Sequence, residues 1–265
     1  MFASALAEVI VQAETVTVVV LPELQPLFTA SFPTARVLTA RLGAFAGDHP
    51  PPSWMPTLGR IDYQLPIGSL MTLLRRTEDS FRDPRAFMRP SDGARARWAK
   101  FDAGSGLKVG ICWASNPALF HHDSARRGRR KSMPLDMFAP LADVPGVSFT
   151  SVLNWRAEPM PPAFKSRLRD VSVRLTSLEE TAALIERLDI VITVDTAVAH
   201  LAGALGKEVW LLLHDFADCR WELEADRSYW YPDVRLYRQT TAGDWQGVIA
   251  HVRRDLTTRA GGNAR

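Results

Sequence analysis

Apolar positions Phe2, Leu6, Val9 or Ile10 and Ala13 recur at helical spacing, and the β-branched run over 15–20 follows at once. A helix and then a strand are predicted. From Pro22 the pattern turns helical again to residue 32, with proline at the first turn, and 35–39 reads as a short strand. Residues 43–60 interrupt this rhythm, because Gly43, Gly47, Pro50, Pro51, Pro52, Pro56 and Gly59 leave no room for regular structure. A strand is expected at 61–65 and a helix at 94–101, before Gly104, Ser105 and Gly106 punctuate the chain. These residues mark a boundary between a part spanning 1–105 and a part spanning 106–256, with 257–265 as a frayed tail. Beyond the boundary strands and helices alternate: strands at 107–113, 147–153, 190–194 and 208–213, and helices at 135–142, 178–187, 197–205 and 245–256. This is an α/β pattern with a parallel sheet. The near-continuous apolar runs at 190–194 and 209–213 fit strands covered on both faces.

With 265 residues, 46% of them hydrophobic and 23% charged, the chain is an ordinary globular one rather than a disordered one. Its longest early apolar run, 16–21, ends at Pro22 and falls far short of the ~20 residues of a membrane span. The first residues carry no basic stretch and are interrupted by Glu8, so a cytoplasmic location is expected. Two cysteines, Cys112 and Cys219, allow at most one bridge and point to a reducing compartment. The net charge of +3 suits a phosphate-bearing ligand without demanding a nucleic acid.

In open parallel sheets ligands gather beyond the carboxyl ends of the strands, which singles out three places. After the strand at 107–113 come Ser115 and Asn116, which also suit a plain turn. Between the strands at 107–113 and 147–153 lies a basic loop containing Arg126, Arg127, Arg129, Arg130 and Lys131. Pro134 would sit just inside the next helix, so Ser132 or Met133 would cap it and Lys131 would stand beside backbone donors, an arrangement that attracts phosphate. The loop has no interleaved aromatics, and no nucleic-acid partner is expected. After the strand at 190–194, Asp195 or Thr196 can cap a helix, Ala197 lets a ligand approach the backbone, and His200 lies one turn from Thr196. His121, His122 and Asp123 lack a third spaced ligand, so no metal is expected. No cofactor is implied, and phosphate-loop, dinucleotide-glycine and nucleophile-elbow motifs are absent.

The segment Asp195-Thr196-Ala197-Val198-Ala199-His200-Leu201-Ala202-Gly203-Ala204-Leu205-Gly206 resembles the nucleotide-sugar motif of the heptosyltransferase-like glycosyltransferases of family 9, of the kind fused to tetratricopeptide repeats in bacteria. The stretches 109–117, 130–135 and 181–185 agree with it, as do Arg220-Trp221 and Trp230-Tyr231-Pro232, while 2–27 and 61–70 resemble the family's acceptor-side domain. The resemblance implies two Rossmann-like domains facing a cleft, the GT-B arrangement, with a nucleotide-diphosphate sugar held by the C-terminal one. Lys131 would meet the diphosphate, Asp195, Thr196 and Ala197 would lie at the nucleotide-sugar, His200 would support their loop, and Asn154 would stand where relatives have a polar donor-side residue. The implied reaction is metal-independent sugar transfer to a saccharide, a lipid-linked glycan or a protein. Relatives begin with a strand and a glycine-rich turn ending in an acidic residue, whereas this sequence starts inside the following helix, so the N-terminal domain is expected to be incomplete. Asp62 and Asp195 are the candidate substitutes for the missing base. The alternative is a catalytically inactive descendant that binds a nucleotide-sugar or a protein.

Overall fold

The structure is a computed structural model, described here for residues 1–41, 52–81, 86–115, 130–155, 160–222 and 225–262. Its N-terminal part opens with α1 (Leu6–Gln12), β1 (Thr17–Val20), α2 (Gln25–Ser31) and β2 (Arg36–Thr39). The two strands pair in parallel, Val18 opposite Val37, so the βαβ unit forms as the pattern predicts. The shorter helices α3 (Leu70–Leu74) and α4 (Asp92–Trp98) complete this part.

The C-terminal part is a six-stranded parallel sheet of β3 (Leu107–Cys112), β4 (Val147–Ser151), β5 (Leu168–Arg169), β6 (Ile190–Val194), β7 (Glu208–Leu213) and β8 (Val234–Arg238). The strands lie in the order β5-β4-β3-β6-β7-β8, which is the doubly wound order with its reversal between β3 and β6. There Cys112 stands opposite Thr193. Along β6 the side chains alternate between two cores: Ile190, Ile192 and Val194 join one, and Val191 joins the other. The first core is covered by α5 (Ala139–Ala142) and α8 (Trp245–Gly262), the second by α6 (Leu178–Glu186) and α7 (Ala197–Ala204).

The second core does not stop at the sheet. Ala3, Leu6, Leu27, Phe28 and Trp98 from the N-terminal part belong to the same apolar cluster as Val191, Leu211 and Leu236. Helix α4 docks on α6, where the Trp98 Nε1–H donates to Glu180 at 2.7 Å, the Arg95 guanidinium grips Glu186, and Arg174 lies 3.9 Å over the Trp98 ring. The turn at the expected boundary needs glycine: Gly106 has φ +67°, and a Cβ there would fall 2.2 Å from the Gly146 carbonyl oxygen.

Several expectations are corrected. Residues 61–65 form no strand; Ile61, Tyr63 and Leu65 are all exposed, so their alternation has no buried face to serve. The 135–142 helix splits into a 3₁₀ turn, Leu135–Phe138, followed by α5. The tail is not frayed from residue 257, since α8 runs on to Gly262 and is anchored by buried Val252 and Leu256. Strands β5 and β8 have no counterpart in the pattern reading: β5 has only two residues, and in β8 Arg235 and Arg238 break up the apolar positions without a period of two. Among the described residues no helix is long and apolar enough to cross a membrane.

Candidate functional site

At the reversal point of the sheet the ends of β3 and β6 diverge, and the residues after them meet again through side chains. Asp195 follows β6 and is buried, with 4% of its surface exposed. One carboxylate oxygen accepts from the Lys131 ammonium at 2.5 Å and the other from the Trp221 indole N–H at 3.0 Å. A buried carboxylate requires such partners, because an unpaired one would carry a desolvation penalty of several kcal/mol.

Lys131 reaches this point because its neighbours are pinned to the end of β3. The Ser115 N–H donates to the Ser132 hydroxyl at 2.9 Å, and the Met133 N–H donates to the Trp113 carbonyl at 3.0 Å. This corrects the expected capping arrangement. Arg130 and Lys131 are themselves helical, Pro134 precedes the next turn without any side-chain cap, and Ser132 serves Ser115 instead. The helix start beside Lys131 is that of α7, not that of the segment following it.

Thr196 caps α7 by accepting from the Val198 N–H at 3.2 Å, and its hydroxyl also lies 3.3 Å from that of Thr193 and 3.8 Å from the Cys112 sulfur. Ala197, the first residue of the helix, is exposed, and its N–H has no carbonyl within the helix to reach. A ligand at this spot meets backbone donors and the positive end of the helix dipole. Burial pushes the Cys112 thiol up, so it stays protonated here.

His200 lies on the inner side of the same helix. Its ring stacks on Trp221 with centroids 4.9 Å apart and planes 17° from parallel, and its Nδ1 is 3.2 Å from the Tyr231 hydroxyl. Tyr231 in turn stacks on Phe87 from the N-terminal part, at 6.4 Å and 10°. Gly203 makes room for the Tyr231 ring, which a Cβ there would approach to 2.6 Å. The buried Nε2 of His200 has no hydrogen-bond partner among the described residues. Burial above all, with the Met1 amino group, Arg220 and Lys131 adding to it and Asp195 opposing, lowers the His200 pKa to about 4. The ring is therefore neutral near pH 7.

The structure thus gathers Ser115, Lys131, Ser132, Asp195, Thr196, Ala197 and His200 at one end of the sheet. Asn154 is on that side too, exposed in the bend after β4. Asp62 stands apart, on the surface at 62% exposure and paired with Arg60 at 2.9 Å. Asn116, the loop arginines up to Arg129 and the His121-His122-Asp123 group lie outside the described residues. Among the described residues no three metal-ligating side chains come together. Pattern reading missed the roles of Trp221, Tyr231 and Phe87, although the first two lie in stretches that carry the family resemblance. No periodicity could have shown that an indole would be turned onto a carboxylate 26 residues away.

Comparison with known proteins gives this geometry a context. Residues 157–212 match the sequence model described as Glycosyltransferase family 9 (heptosyltransferase). Protein FlbA of Caulobacter vibrioides (strain ATCC 19089 / CIP 103742 / CB 15) is 29% identical over 238 residues, covering 86% of this chain; the chain spans only 39% of that relative's length. In fold, the chain resembles E. coli ADP-heptose LPS heptosyltransferase II, with a TM-score of 0.62, 13% identity and coverage of 97% of this chain and 95% of the other. The glycosyl transferase family 9 structure from Veillonella parvula DSM 2008 gives a TM-score of 0.56 at 12% identity, covering 98% and 92%. The chain has the α/β, GT-B-type fold of these proteins and resembles the heptosyltransferase-like glycosyltransferases of family 9.

Proposed function

We propose that this chain is a glycosyltransferase that takes a sugar from a nucleotide-diphosphate donor held at the β3–β6 reversal point. In this reading residues 106–256 carry the donor side and 1–105 the acceptor side. The observation that carries it is the Lys131–Asp195 pair at the start of α7. Asp195 spends one acceptor on Lys131 and one on Trp221, which fixes the ammonium in place, and an ammonium has three donors. Two remain for the diphosphate oxygens, beside the open Ala197 N–H. As the glycosidic bond to the diphosphate breaks, negative charge grows on the leaving oxygen. Preorganised positive groups stabilise that charge without reorganising, which is where such a site gains rate, and metal independence is part of the proposal.

A second reading, a donor-binding protein without turnover, is favoured by one observation. The Asp195 carboxylate is occupied at both oxygens and Asp62 is paired at the surface, so neither is poised to take a proton from an acceptor hydroxyl.

Calorimetric titration with a panel of nucleoside diphosphates and nucleotide-sugars tests both. A ligand of the proposed class should bind, and Lys131→Met and Asp195→Asn should each weaken it by about ten- to a hundredfold, the range expected for losing a charge-assisted contact. Unchanged affinity in both folded variants, or no ligand in the panel, would overturn the donor site. Binding without release of nucleoside diphosphate in the presence of acceptors would select the second reading.

A further inference from the structure

Helix α8 carries its charge unevenly. Its one carboxylate, Asp255, lies 2.8 Å from Arg235 and 3.5 Å from His251 and accepts from the Tyr237 hydroxyl at 2.9 Å, while Arg259 meets Glu208 at 3.3 Å. Arg253 and Arg254 are exposed, and neither guanidinium has a carboxylate partner among the described residues. Both line a cavity of about 840 Å³ between α8 and the segment made of the Leu135–Phe138 turn and α5. The cavity shares no residue with the Lys131–Asp195 site.

The shape of this cavity follows from helix geometry. On α8 its lining falls at 246, 249, 250, 253, 254, 257 and 258, steps of three and four that form one stripe. At 1.5 Å per residue the stripe is about 18 Å long, a little over three turns. Its apolar part is Ile249 and Ala250, faced by Met137 and Pro140 from the other wall, where Asp136 supplies the only carboxylate of the lining. Toward the far end, the Thr257 and Thr258 hydroxyls donate to the Arg253 and Arg254 carbonyls at 2.8 and 3.1 Å. That end therefore presents guanidinium donors to a ligand rather than hydroxyl donors.

An apolar centre, two unmatched cations and a carboxylate on the other wall discriminate between anionic partners. Free phosphate would meet the arginines and leave the apolar lining unused. An anionic bilayer is flat and negative throughout, so its headgroups would stand outside a concave site and be repelled by Asp136. A helix with an apolar stripe bordered by carboxylates answers each part. Its apolar side chains at i, i+3, i+4 and i+7 lie along a stripe of matching length, and its carboxylates take bidentate pairs from Arg253 and Arg254.

We propose that this groove docks an acidic amphipathic helix of a protein partner, its apolar face on Met137, Pro140 and Ala250 and its carboxylates on Arg253 and Arg254. The docking face is independent of the donor reading. Fluorescence anisotropy on the full chain would use a labelled peptide of about twelve residues, with leucines at i, i+3, i+4 and i+7 and glutamates beside them. It should bind with a Kd below about 1 mM, and a scrambled peptide of the same charge and a lysine counterpart should bind at least about tenfold more weakly. Arg253→Glu combined with Arg254→Glu should reverse the preference between the glutamate and lysine peptides. Ala250→Trp fills the groove while keeping its charges, and should weaken the glutamate peptide about tenfold. Unchanged circular dichroism and thermal midpoint check that both variants are folded. Absence of binding, equal binding of the scrambled peptide, or binding unchanged in both folded variants would overturn the proposal. So would displacement of the peptide by millimolar phosphate at constant ionic strength, which marks a simple anion site, or by phosphatidylserine vesicles, which marks a membrane surface.

Discussion

The two parallel sheets differ in what holds them. The C-terminal sheet buries every residue of β6 and has helices on both faces, so its strands are stabilised within their own part. The N-terminal sheet has two described strands, alternates buried with exposed positions along β1, and leaves Val19 40% exposed. Two strands cannot make a core by themselves. This sheet is covered instead by an apolar cluster continuous with the second core of its larger neighbour, with α4 clamped onto α6. The lesson is that the smaller part draws its order from the larger one, and the residues that join them also approach the site: Phe87 touches Tyr231, which touches His200, which touches Trp221.

The strongest way to break this dependence is Trp98→Ala. It removes a fully buried ring and takes the indole partner from one Glu180 oxygen while Arg97 keeps the other, and it should cost about 3–5 kcal/mol in urea unfolding. If the N-terminal part were self-supporting, the loss would be far smaller and confined to the C-terminal transition.

Acid should act next most strongly, through the stack that links the two parts. The His200 pKa is about 4 in the fold against an ordinary ~6.5 unfolded. Above pH ~6.5 both states are neutral and nothing is lost. As the pH falls from there through about 4, the unfolded chain takes up a proton that the folded one refuses, so stability drops by up to roughly 3 kcal/mol. Burial lowers the His214 pKa as well, adding in the same direction. His200→Phe keeps a flat ring against Trp221 and should show a shallower loss over pH 6.5 to 4 in chemical unfolding; an identical slope would remove His200 as the cause.

Gly203→Ala sharpens the comparison, because two effects of opposite sign compete. Helix propensity alone favours alanine by about 1 kcal/mol. The Tyr231 ring, 2.6 Å from the new Cβ, cannot yield without disturbing both His200 and Phe87, so a net loss of about 1–3 kcal/mol is expected by thermal unfolding. A net gain would show that the stack is loose. The smallest effect belongs to Arg95→Ala, whose pair with Glu186 is partly exposed and should contribute under about 1 kcal/mol, measured against the same variant in the Glu186→Ala background.

Much of the larger sheet was legible because strands buried on both faces must be almost wholly apolar, as 190–194 and 209–213 are. The 61–65 strand failed for the complementary reason: alternation signals a half-buried strand only where something packs on the apolar side, and nothing does. β8 escaped notice because Arg235 and Arg238 mask it, with Arg235 satisfied by Asp255 on α8, a pairing that no local pattern reveals. The site divides in the same way. Asp195, Thr196 and Ala197 were readable as residues at a strand end entering a helix, and Lys131 as the last cation of a basic loop.

From one-dimensional pattern come the alternation of strands and helices, the parallel sheet and the residue types that handle a phosphate, since these depend on neighbours a few positions apart. Pairing Lys131 with Asp195, turning Trp221 onto that carboxylate and filling the space beside Gly203 with Tyr231 all join residues far apart in the chain. Burial in a shared low-dielectric interior sets those partners, and that interior exists only once the chain has folded.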